Sequence, residues 1–286
     1  MAFFEVNPTK NPENFAQARN RLKSMMLGAT DHQVERGRAW YDLAEDSARS
    51  GSADIGVTHS SGAGMMSAVS PALDFSEHNV HVLHEMGAMR PEHHAMVLAS
   101  LSHQRKVSEA NRLLRGEGHP TLRSGRLPEV ESMLTELYPH LSRATDFNIA
   151  DAMRIREGAE PGEVLNRKTR PKTNSFWRNL AGDRDVVTVD YRAADVVANQ
   201  MRPVRGPQSN RGISSALSSR GPTRYEDYAH VIASSSALPS VQKRMPGLKP
   251  AEAQALQWVI AKDMELTNPD GSPRGKGPAR KGQPYF

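Results

Sequence analysis

Lys172 and Asp190 are the two residues of this 286-residue chain whose types and setting could do chemistry. Pro171 suits the first turn of a helix and Gly182 its C-terminal cap, so Lys172 should stand at a helix N-terminus with backbone N–H groups facing outward. Such an end attracts phosphate. It also surrounds the lysine with the positive end of the helix dipole and with neighbouring cations, a field that favours a neutral, nucleophilic amine. Asp190 follows Val186-Val187-Thr188-Val189, a β-branched run that reads as one short extended piece. It should cap a helix beginning near Tyr191. A helix, an extended piece and a second helix would return the acid to the lysine as a nucleophile and base pair. Two plainer roles compete: a lysine that contacts phosphate or is only solvated, and an aspartate that caps a helix and does no chemistry.

The charge around these residues is concentrated. Between Val164 and Arg224 there are twelve basic and four acidic residues, a net +8, whereas the whole chain carries only +5. That is the footprint a nucleic-acid site leaves. Arg167, Lys168, Arg170, Arg178 and Arg192 are the candidate phosphate contacts, and Trp177, Tyr191 and Trp258 are candidates for stacking on a base. Core packing is the competing fate of those aromatics.

The same stretch resembles the helix-hairpin-helix DNA glycosylase superfamily, the group containing the endonuclease III type. In that family a segment of the form L-P-G-V-G-R-K-T-A leads into a helix, then a Gly, then an extended apolar piece ending V-D. Here Pro171-Lys172-Thr173 takes the R-K-T place and Val189-Asp190 the V-D place, with the family's interval of 18 between lysine and aspartate. Upstream, Ala68-Val69-Ser70, with Asn79 nine residues after the serine, is similar to the family's L-S-A-Q-x-x-D-x-x-V-N helix pair. The hairpin glycines are replaced by Lys168 and Arg170. Phage-encoded proteins of unassigned role carry a similar S-P…N…P-K…F…N-L…V-T-V-D pattern, and the chain looks nearest to those.

The resemblance implies that Lys172 attacks C1′ of a flipped-out nucleotide, with Asp190 activating the lysine, stabilising the sugar cation or orienting a water. It implies a DNA glycosylase or glycosylase/lyase, with Thr173 and Asn79 joining the basic and aromatic residues above on the DNA-binding face. Two alternatives stand beside it. One is a phage enzyme of the same fold that modifies bases without cutting the glycosidic bond, and the other is a non-catalytic DNA-binding or virion-associated protein.

The remaining constellations point elsewhere. His78, His81, His84 and Glu85 repeat at helical spacing and could share a metal, but the same helix needs its apolar face, and no metal is expected. Ser60-Ser61-Gly62-Ala63-Gly64 before a helix could cradle phosphate but completes no nucleotide motif. With no cysteine there can be no disulfide, Cys-ligated zinc, iron-sulfur cluster or thiol nucleophile. No cofactor is expected.

The elements that must position Lys172 and Asp190 are helices. Apolar residues recur at three and four residue spacing throughout, with helices expected at 13–27, 31–49, 62–69, 75–88, 91–115, 128–142, 145–156, 171–181, 191–201, 224–237 and 249–266. The last of these should lie as a lid on the bundle. The expected fold is all-α, a two-lobed bundle of the helix-hairpin-helix glycosylase type. Its helical domain should take 1–202 and 224–267, with 203–223 a Ser/Gly/Pro/Arg-rich loop and 268–286 a basic disordered tail. The start, Met1-Ala-Phe-Phe-Glu, does not read as a secretory signal, and no apolar run approaches the roughly 18 to 20 residues of a membrane span. A cytoplasmic protein is expected, in the host cell if phage-encoded.

Overall fold

A computed structural model describes residues 6–70, 79–122, 125–199 and 222–266. The expected loop at 203–223 falls almost wholly outside them, as does the tail at 268–286. Among the described residues the chain is all-helical, without a strand. Eight of the helices begin on a proline, whose fixed φ and missing N–H suit a first turn. The chain divides into two compact units: Met1–Asp46 with Asn166–Phe286, and Ser47–Leu165. Helix α2 (Asp31–Asp54) contributes to both.

The first unit holds α1 (Pro12–Leu27), the start of α2, α9 (Pro171–Leu180), α10 (Tyr191–Ala198), α11 (Pro222–Ser236), α12 (Pro239–Arg244) and α13 (Pro250–Leu266). Its core joins Leu22 and Met26 of α1, Val196 and Val197 of α10, Tyr225 and Ile232 of α11, and Leu256 and Ile260 of α13. Rather than a lid, α13 is a central helix. Its alanines at 251, 253, 255 and 261 are buried along with Leu256 and Val259, so it is covered on nearly every side. Where α2 crosses it, only a glycine fits. A Cβ on Gly37 would lie 2.7 Å from Leu256 Cα.

The second unit holds α3 (His59–Val69), α4 (Asn79–Ala88), α5 (Pro91–Gly116), α6 (Pro128–Leu137), α7 (Asp146–Arg156) and α8 (Pro161–Val164). The expected helix over 128–142 ends at Leu137, because Pro139 disfavours helical backbone at Tyr138. A short 3-10 turn follows at Leu141–Arg143. Gly62 and Gly64 do not cradle an anion. A Cβ on Gly62 would fall 1.8 Å from Ser52 Oγ and 2.9 Å from its Cβ, and one on Gly64 2.8 Å from Pro161. These glycines let helices approach closely. Gly62→Ala is therefore expected to destabilise the unit by about 1–3 kcal/mol, although at an open helical site the same change stabilises by up to about 1 kcal/mol. Urea unfolding reads the sign.

The histidine helix is accounted for by local bonds. His84 Nε2 pairs with Asp54 at 2.9 Å. Glu85 accepts from the backbone N–H groups of His140 and Leu141 at 3.0 and 2.8 Å and pairs with His140 Nδ1 at 2.6 Å, anchoring the start of the 3-10 turn. No group of three or more potential metal ligands gathers among the described residues; His78 lies outside them. None of the helices of the described residues is long and apolar enough to cross a membrane.

Candidate functional site

Helix α9 carries the site. Lys172, Ser175 and Asn179 are three and four residues apart and so share one stripe of it. Asn179 is fully buried, and its Nδ2 donates to Asp183 O at 2.7 Å and to Val186 O at 2.8 Å. Its Oδ1 accepts from Thr188 Oγ1 at 2.7 Å. One turn back, Ser175 reaches the phenol of Tyr225. That phenol donates to Val187 O at 3.1 Å and accepts from Val189 N–H at 2.9 Å.

The Val186–Val189 piece is thus extended but is no strand. It has no neighbouring strand to pair with, and the side chains of Asn179 and Tyr225 take up its backbone groups. Val187 and Val189 point into the core. Burial pushes the phenols of Tyr225 and Tyr41 above their ordinary range, and both face the charge of Asp190. Tyr41 donates to Gln254 Oε1 at 2.8 Å and also bonds the Thr188 hydroxyl.

The register matters for the two candidate residues. Val186 and Thr188 bond Asn179 of α9, and Val187 and Val189 bond the phenol that Ser175 contacts, so alternate residues of the segment are tied to two different side chains. Lys172, in the first turn of α9, is half-buried. No ion pair joins the two side chains. Asp190 Oδ1 accepts from Ala193 N–H at 2.8 Å, making Asp190 the N-cap of α10. The Lys172 ammonium has no hydrogen bond or ion pair among the described residues.

The turn before α9 differs from a glycine hairpin. Asn166 Oδ1 accepts from Lys168 N–H at 2.8 Å, and Asn166 O accepts from Thr169 and Arg170 N–H at 3.2 and 2.8 Å, so these amides do not face a phosphate. The helix before the turn, α8, has only four residues. Outward-facing donors lie further on. The N–H groups of Lys172 and Thr173 in the first turn of α9 have no acceptor among the described residues, and Arg170, the N-cap residue, supplies none. Thr173 itself is buried.

The basic block is less bare than its sequence. Arg167 pairs with Glu226 at 2.6 Å, Arg178 with Asp183 at 2.5 Å, and Arg184 with both Asp42 and Glu45 at 2.8 Å. Three of the cations counted in the +8 are therefore neutralised, two of them by acids outside the counted segment. Lys168 is exposed, Trp177 half-buried and Arg170 half-buried. Tyr191 opens α10 and Asn79 opens α4, while their side chains lie outside the described ones.

An aromatic cluster that adds Trp40 and Phe176 to the expected stacking candidate Trp258 adjoins α9 and α10. Phe176, one turn after Lys172, packs 6.3 Å from Trp40, which lies 6.2 Å from Trp258. The Arg192 guanidinium sits 5.8 Å and the Lys262 ammonium 4.7 Å from the centre of the Trp258 ring. Trp40 is over 130 positions from α9 in sequence, and only the fold brings it there. The features of this unit are a half-buried lysine with free amides, a capping carboxylate, and one indole rimmed by cations. Such a set can bind a phosphate and stack a planar ring.

No curated protein and no solved structure matches the chain. A family model described as a family of unknown function (DUF7178) matches residues 5–86 and 79–265. These stretches take in most of the chain, and the protein belongs to that family.

Proposed function

We propose that the protein binds DNA through the face of α9 and α10 and acts on an unstacked base there, with Lys172 as the nucleophilic amine and Asp190 as its acid–base partner. The observation that carries this is the tie between α9 and the 186–190 segment, made through Asn179, Val186 and Thr188. That segment ends on the carboxylate of Asp190, and the Lys172 ammonium of α9 has no acid of its own among the described residues. The orphan amides of Lys172 and Thr173 supply a place for the neighbouring phosphate. In this reading the amine attacks C1′ as the base departs, and the imine that follows is reducible.

The test is borohydride trapping on DNA carrying damaged or modified bases. A covalent adduct is expected with the wild-type chain and none with Lys172→Ala. Asp190→Asn is expected to lower the trapping rate by at least about a hundredfold, as loss of general acid–base assistance does. No adduct and no released base on any such DNA would sink the lytic mechanism. A heavier nucleoside in place of free base, seen by mass spectrometry, would assign base modification on the same site.

A second reading rests on one observation, the Asp190 bond to Ala193 N–H. If capping is all that Asp190 does, the face binds DNA without chemistry. Lys172→Ala would then weaken binding with a salt slope smaller by about one, and neither adduct nor altered nucleoside would form.

A further inference from the structure

From the aromatic cluster we infer that Trp258 is the stacking surface for a base of single-stranded nucleic acid, with Lys262 and Arg192 as its phosphate contacts. The inference rests on the DNA-binding reading above and names the form of substrate that its site takes.

The buried aromatics of this unit are sealed by packing. Tyr41, Phe176 and Tyr225 are all in the core. Trp258 differs, for it is half-buried and its ring is covered in part by two cations rather than by apolar side chains alone. A cation resting on an indole is held weakly where solvent reaches it. The Lys262 ammonium moves readily from the ring to a phosphate, which frees a π-face for a base. Lys262 is exposed, with no hydrogen bond or ion pair among the described residues. Arg192 belongs to the first turn of α10, two residues after the capping Asp190. Trp40 backs Trp258 at 6.2 Å and keeps the ring from turning away. A ring flanked by cations takes a base by its face and a phosphate by its charge, and the face is open in a single strand but stacked away in an intact duplex.

The experiment compares two labelled oligonucleotides of equal length by fluorescence anisotropy, one of thymidylates and one with abasic residues at its central positions. The wild-type chain is expected to bind the base-bearing strand about tenfold more tightly. Trp258→Leu should bring that ratio close to one while leaving the abasic strand's affinity unchanged, and Trp258→Phe, which keeps an aromatic face and the packing, should keep part of the preference. Lys262→Gln should weaken both strands equally and reduce the salt slope by about one.

A wild-type ratio near one, or a ratio unchanged in both Trp258 variants, overturns the inference and leaves the DNA-binding reading intact. Failure of the wild-type chain to bind either strand overturns the inference, and the trapping experiment on modified DNA decides the DNA-binding reading.

Discussion

Asp146→Ala is expected to cost the Ser47–Leu165 unit about 3–5 kcal/mol, the range for removing one partner of a buried ion pair. The Asp146 side chain is 0% exposed and that of Arg126 11%. Its Oδ1 receives Arg126 Nε at 2.5 Å, while Oδ2 receives Ser100 Oγ at 2.5 Å and Gln104 Nε2 at 2.6 Å. Truncation strips three donors of their acceptor at once. The guanidinium keeps Glu131 and the carbonyls of Ser142 and Ala144, so the lower end of the range is the better expectation. Replacing both charges, as in Arg126→Met with Asp146→Leu, should recover part of the loss, since no unpaired charge then stays buried. With two units in the chain a single unfolding transition is not assured. Amide exchange over 141–156 is therefore the measurement, read beside urea unfolding. A change below about 0.5 kcal/mol, typical of a surface site, would show that the network does not hold this unit together.

This network gives no sign in the sequence. Helix ends were readable because they are local. Pro171 starts α9, Asp190 caps α10, and Gly182 takes the positive φ of 102° that follows α9. Charge was not readable in the same way. The +8 between Val164 and Arg224 is a sum along the chain, whereas Arg167 meets Glu226 and Arg184 meets Asp42 and Glu45 only once the chain has folded. The β-branched run at 186–189 was readable as extended backbone, whereas the partners of its backbone groups were not, because they are a tyrosine and an asparagine on helices. Similarly, the alanines of α13 read as an amphipathic lid. Small size on all sides instead lets neighbours close around it. Spacing suggested Lys172 with Asp190, and no ion pair joins the two side chains. Trp258 was legible as a stacking candidate, but its neighbour Trp40 was not, since Trp40 comes from α2 and meets Trp258 of α13 only in the fold.

The support beneath the candidate pair yields the other large effect. Asn179→Ala should cost about 3 kcal/mol, because it leaves the carbonyls of Asp183 and Val186 and the hydroxyl of Thr188 without their partner, each buried loss costing about 1–3 kcal/mol before relaxation. Asn179→Asp should cost at least as much, despite its near-identical shape. A carboxylate donates nothing, so it would set negative charge against two carbonyl oxygens and keep only the bond from Thr188. Thr188→Val removes a hydroxyl bonded to Asn179 and Tyr41 and should be the mildest of the three, at about 1 kcal/mol. Urea unfolding gives the order. An Asn179→Asp protein as stable as the wild type would show that the two bonds from Nδ2 to the carbonyls do not hold this segment. The same series reaches the chemistry. Asn179 fixes the level at which residues 186 and 188 meet α9, so a folded Asn179→Ala protein should trap less adduct through Lys172 while binding DNA as tightly as before. Reduced trapping with unchanged DNA affinity would separate the positioning of Asp190 from the electrostatics of the face, which no substitution of the two residues themselves can do.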